Sequence, residues 1–157
     1  MNDANSLIAA LTDPAVRQIA QCGRVNSFAK NAMLIQEEAW GDTVLVILSG
    51  RVKVYVSDAE GRERVLAVYG PGEYVGEMSL NGQPRSASVV ALESTQCSVV
   101  PHAAMREAIR NPDIALSLIT RLIQRTRRAA DSMKNLRRMD IHPLLGLAKP
   151  QSSGELS

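Results

Sequence analysis

Gly72-Glu-Tyr-Val-Gly-Glu-Met-Ser-Leu-Asn-Gly-Gln-Pro-Arg-Ser-Ala-Ser88 is the stretch on which the reading of this chain turns. The run Gly76-Glu-Met-Ser-Leu80 is suited to starting a turn of helix. The first N–H groups of such a turn have no partner within it and carry a partial positive charge, which favours an anion there. Arg85 adds a fixed cation with a planar fork that matches phosphate oxygens, and Ser86 adds a hydroxyl and a backbone N–H. Glu77 is out of place beside a phosphate alone, because its carboxylate would repel it. It fits if it accepts hydrogen bonds from Arg85 or from a sugar hydroxyl. The segment therefore reads as a cradle for a ligand with both phosphate and sugar.

Outward from this cradle, residues 24–100 carry short β-branched runs. They are separated by turn residues at Gly41-Asp42, Ser49-Gly50, Asp58–Gly61, Gly70-Pro-Gly72 and Asn81-Gly82. Val44, Val46 and Leu48 alternate with Leu45 and Ile47, which predicts a central strand buried on both faces. Val52, Val54 and Val56 alternate with polar neighbours, which predicts a half-exposed strand. Many short strands with tight turns predict an antiparallel roll or barrel. Upstream, residues 6–21 predict a helix, or a pair of helical pieces broken at Pro14.

After Pro101 the apolar period becomes helical. Residues 103–110 predict a short helix, and Asn111-Pro112 opens a long one, with Asn111 as N-cap and Pro112 in the first position, running to about residue 140. Ile119, Leu122, Thr126, Ala129, Met133 and Leu136 recur at spacings of three and four, a seam suited to a two-helix dimer contact. The same helix bears Arg121, Arg125, Arg127, Arg128, Lys134, Arg137 and Arg138, read here as a solvated face, with contact to nucleic acid as the alternative. The expected organisation is an N-terminal helical segment (1–22), a β-roll (23–111), the long helix (112–140), and a hinge with a disordered tail (141–157).

Composition narrows the function. The net charge of +2 is too small to imply a polyanionic partner, and the five aromatic residues are too few for a base-stacking surface. Cys22 and Cys97, with His102 and His142, make neither a disulfide framework nor a zinc cluster, and both thiols are expected to be reduced and partly buried. Neither a signal peptide nor a membrane span is visible, so a cytoplasmic protein is expected.

Gly76-Glu77-Met-Ser-Leu, followed by Arg85-Ser86-Ala87-Ser88, resembles the phosphate-binding cassette of cyclic nucleotide-binding domains. Leu48-Ser-Gly50-Arg-Val-Lys-Val, Asp58–Gly61, Gly70-Pro-Gly72-Glu and the long helix resemble the layout of the bacterial catabolite activator family, over roughly residues 15–141. The resemblance implies an α+β domain: an antiparallel β-roll of the jelly-roll type with short N-terminal helices and a long C-terminal dimerisation helix. It also implies the roles. Glu77 would accept from the ribose 2′-hydroxyl and brace Arg85. Arg85 and Ser86 would hold the cyclic phosphate, with backbone N–H groups of Gly76, Glu77, Met78, Ser79 and Ala87 nearby. Val54 and Leu66 would form apolar walls.

Two departures are visible. The adjacent hydroxyl residues that reach adenine in the bacterial activator fall at Ala129 and Ala130 here, with Thr126, Arg125 and Arg128 as candidates to replace them. Only sixteen residues follow Ile141, too few for the helix-turn-helix domain through which such activators meet DNA. The expected protein is a homodimeric, non-catalytic sensor of cyclic AMP, with cyclic GMP as the other purine candidate. It needs no metal or cofactor, and the alternatives are a DNA-binding regulator working through the basic helix or a pocket serving another effector.

Overall fold

In the computed structural model, the backbone is described for residues 2–148 and side-chain burial for residues 3–135. The apolar run Val44–Leu48 forms the middle of strand β3 (Thr43–Ser49), and all its side chains are buried. A strand apolar on both faces belongs inside a sheet with cover on each side. β3 is an interior strand of a four-stranded antiparallel sheet, ordered β1 (Arg24–Phe28), β8 (Thr95–Pro101), β3, β6 (Tyr74–Val75). The second sheet is ordered β2 (Met33–Ile35), β7 (Ser88–Ala91), β4 (Val52–Ser57), β5 (Glu63–Tyr69), again antiparallel throughout.

The core forms where the two sheets meet. Leu45, Ile47, Val75 and Cys97 from the first sheet cluster with Ile35, Val52 and Val89 from the second. The intervening residues Val44, Val46 and Val100 are buried as well. Three short helices, α1 (Asn2–Ala9), α2 (Pro14–Ala20) and α3 (His102–Ala108), supply cover on β3, and the last two also contact β8. Ile8, Val16, Ile19, Ala20, His102 and Met105 are their buried residues. The alternation of β3 thus serves two layers at once.

The N-terminal segment is a broken pair of helices. Asp13 caps the second: its Oδ1 accepts from the Ala15 N–H at 2.9 Å, and Pro14 fills the first helical position. The long helix, α4, opens as the sequence indicates, with Asn111 Oδ1 accepting from the Asp113 N–H at 2.9 Å. It runs from Pro112 to Ala148, so residues 141–148, expected to be a hinge, continue the helix. The expected tail from 149 onward lies outside the described residues. Two compact units divide the chain after Ala115: the first holds both sheets and α1–α3, the second the remainder of α4. The thiols are both free but differ from expectation, since Cys22 is exposed and Cys97 wholly buried.

Candidate phosphate-binding site

The chain leaves the first sheet at β6 and enters the second at β7, so residues 76–87 join the two sheets. Gly76 makes the exit possible. Its φ of 94° lies in the left-handed region, and a Cβ there would sit 2.8 Å from both the Thr43 carbonyl oxygen and Arg85 Nη1. A single 3-10 turn, Glu77–Ser79, follows. Its first backbone bond, from the Ser79 N–H to the Gly76 carbonyl, is long at 3.5 Å, and the Ser79 hydroxyl reinforces it by donating to the same carbonyl at 3.1 Å. The N–H groups of Glu77 and Met78 lie at the start of the turn, ahead of that bond.

Arg85 is fixed by its backbone and by its side chain. Its N–H donates to the Ala39 carbonyl at 2.8 Å, and its carbonyl accepts from the Glu38 N–H at 2.8 Å. The side chain is only 7% exposed. Nη1 donates to the Thr43 carbonyl at 2.9 Å, the Gly76 carbonyl at 3.0 Å and Ser79 Oγ at 2.8 Å, and Nη2 donates to Thr43 Oγ1 at 3.2 Å. None of these bonds uses Nε. The guanidinium lies on Gly41, where any Cβ would overlap Nε, Cζ and Nη2. Burial pushes the guanidinium below its ordinary pKa, while the charges of Asp42 and Glu77 act in the opposite direction. Its hydrogen-bond acceptors are neutral, and the negative charge near it comes from those two carboxylates.

The remaining expected residues fall on both sides of this centre. Ser79 is buried, Ser86 and Met78 are exposed, and Ala87 and Glu77 are half-buried. The chain after Ala87 becomes β7, which pairs with β4, which pairs with β5; Val89 lies opposite Val54. Leu66 occupies the irregular register position of β5, between the pairs Val54–Ala67 and Tyr55–Val65, and is 59% exposed. The fold therefore brings the cassette, Val54 and Leu66 to one succession of strands. Arg125, Thr126 and Ala129 lie on α4 in the second unit, within about one helical turn of each other. Among the described residues, no group of three or more His, Cys, Asp and Glu side chains could hold a metal ion. No helix among them is long and apolar enough to cross a membrane.

Sequence reasoning found the cation but missed what holds it. Thr43, Gly41 and the Glu38–Ala39 backbone were visible only as turn and strand-start residues. The one signal was Gly41-Asp42 itself, a turn dipeptide placed directly before the central strand.

Residues 25–111 match the cyclic nucleotide-binding domain family. The chain is 29% identical over 146 residues to the cAMP-activated global transcriptional regulator CRP of Salmonella typhimurium, covering 88% of this chain and 70% of that protein. Among solved structures, the catabolite activator protein of Thermus thermophilus aligns with a TM-score of 0.68 at 28% identity, over 84% of this chain and 62% of that one. The N-terminal domain of a transcriptional regulator from Streptomyces coelicolor aligns with a TM-score of 0.57 at 31% identity, over 81% of this chain and 90% of that one.

Proposed function

This chain belongs to the cyclic nucleotide-binding domain family, and from that premise we propose that it is a sensor whose cassette grips the sugar-phosphate of a cyclic nucleotide, cyclic AMP first. The observation that carries this reading is Arg85: a buried cation at the junction of two sheets, flanked by the Gly76–Ser79 turn, whose side-chain hydrogen bonds go to neutral carbonyls and hydroxyls. A buried charge is most stable with an opposite charge in contact, and a phosphate oxygen would supply one. The Nε edge and the N–H groups of Glu77 and Met78 are the donors suited to receive it. Glu77 then serves the ribose 2′-hydroxyl, Ser86 and the Ala87 N–H complete the phosphate cradle, and Val54 and Leu66 flank the sugar and base.

The base would be read from α4. Ala129 and Ala130 offer only methyl groups, so Arg125, Thr126 and Arg128 are the candidates there to hydrogen-bond a purine. The exposed apolar residues Ile119, Leu122 and Met133 on the same helix support a second role, pairing with a second copy of the chain. The ligand would then act by favouring one of two arrangements of that helix, in proportion to its differential affinity. No part of this reading requires catalysis.

Calorimetric titration with cyclic AMP and cyclic GMP tests the reading. Micromolar or tighter binding of cyclic AMP is expected. Arg85→Ala should weaken it roughly thirtyfold or more, the loss of about 2 kcal/mol of charge-assisted bonding. Absence of binding by both nucleotides would sink the proposal.

A further inference from the structure

The residues expected at the nucleotide stand on two supports. Arg85 and the Gly76–Ser79 turn belong to the segment joining the sheets, whereas Val54 and Leu66 belong to the β4–β5 hairpin. Near its base this hairpin is fastened by β7, whose residues Ser88–Ala91 lie opposite Tyr55–Val52. Beyond Tyr55, β4 runs on without β7, because the chain before Ser88 is the cassette. The next hold comes from a side chain: the Ser57 N–H donates to Glu37 Oε1 at 3.1 Å. The far end of the hairpin is closed on itself, with the Asp58 N–H donating to the Arg62 carbonyl and the Gly61 N–H to the Asp58 carbonyl, each at 2.9 Å. Its ion pairs, Arg62 and Arg64 with Asp58, are internal too.

Glu37 is itself held by the cassette side. Its N–H donates to Ser88 Oγ at 2.9 Å, three residues after Arg85. The next two residues, Glu38 and Ala39, make the backbone pair with Arg85. A tight turn encloses them: the Ala39 N–H donates to the Gln36 carbonyl at 3.2 Å, and Glu38 has a φ of 71°. A non-glycine residue in the left-handed region persists where its surroundings over-determine it, and here the bonds to Arg85 and Ser88 do so. The Glu37 carboxylate therefore reaches the hairpin from a backbone that Arg85 helps to fix.

We propose that Glu37 is a positioning residue for the nucleotide, tying the β4–β5 hairpin to the turn that grips Arg85 and so setting the apolar wall against the phosphate cradle. This rests on the cyclic-nucleotide reading above and adds a residue that acts on the site through its neighbours. With the tie intact the hairpin is preorganised, and the ligand meets both supports at once. Without it the ligand must order the hairpin as it binds, which lowers affinity by the fraction of molecules not already ordered. The tie needs an acceptor at Oε1 and not a charge.

Calorimetric titration of cyclic AMP and amide hydrogen exchange on the wild type, Glu37→Ala and Glu37→Gln test the inference. Glu37→Ala should bind about three- to tenfold more weakly, the range expected for one hydrogen bond. In the ligand-free variant the amides of residues 58–64 should exchange faster by a similar factor, while those of β3 and β8 keep wild-type rates. Glu37→Gln should restore both readouts, since its amide oxygen can accept from Ser57 as Oε1 does. Faster exchange throughout both sheets in Glu37→Ala would mean a general loss of stability and overturns the inference. Unchanged affinity in Glu37→Ala, weaker binding with hairpin exchange unaltered, or a Gln variant no better than Ala does the same. Each of these outcomes leaves the sensor reading intact. No binding of either cyclic nucleotide by the wild type refutes both.

Discussion

Arg85 bonds to two neutral carbonyls and two hydroxyls in a space bounded by Gly41 and Gly76. Both glycines are therefore tied to the same guanidinium, by different physics. At Gly41 the constraint is space alone, so Gly41→Ala should displace the guanidinium and lower cyclic AMP affinity by about tenfold, with a modest loss of stability. At Gly76 a left-handed φ adds about 1–2 kcal/mol of strain to the steric conflict. Gly76→Ala should accordingly cost more in urea denaturation than Gly41→Ala does. Equal costs would mean that φ at position 76 relaxes freely. The cation and its turn were legible in the sequence because adjacent residues make them. Thr43, 42 positions away from Arg85, was not legible, because only the placement of β3 beneath the cassette brings it there.

At the scale of elements, strands were easier to read than helix ends. The two-sided apolar run of β3 and the one-sided alternation of β4 each have a single structural solution inside a layered β fold. The end of α4 is different: residues 141–148 contain Pro143, a signal that favours a break, yet they remain helical. Along the described part of that helix, Ile119, Ile123 and Met133 are half or more exposed and Leu122 somewhat less so. Apolar side chains repeated along one exposed stripe suit association better than solvation. Sedimentation equilibrium should find a dimer for the wild type and a monomer for the double variant Ile119→Glu, Leu122→Glu. A dimer that survives both charges would place the contact elsewhere.

Across the whole molecule, the two cysteines report on integrity in opposite ways. Cys97 sits between the sheets, where burial pushes its thiol up to about 12, while Cys22 is exposed at the end of α2. One thiol should react with a disulfide reagent at pH 8 in the native protein and two in denaturant. The raised value also sets an alkaline limit. Unfolded Cys97 ionises near 9, whereas the folded thiol keeps its proton, so its contribution is intact below pH 9 and is lost as pH climbs toward 12. Thermal melts should fall over that interval less steeply for Cys97→Val than for the wild type. Cys97 looked equivalent to Cys22 in sequence; the register that pairs it with Ile47 separates them.

The backbone pairing of Arg85 with Glu38 and Ala39 has one more consequence. Ser79 is held at one end and Arg85 at the other, and the residues between them, from Asn81 to Gln83, are exposed. This span is a strap between two buckles. Its length and composition are free to drift, through insertion, deletion or replacement, while both anchored ends keep their positions. A lineage of such proteins can vary the strap to meet new neighbours without rebuilding the grip that the anchors define.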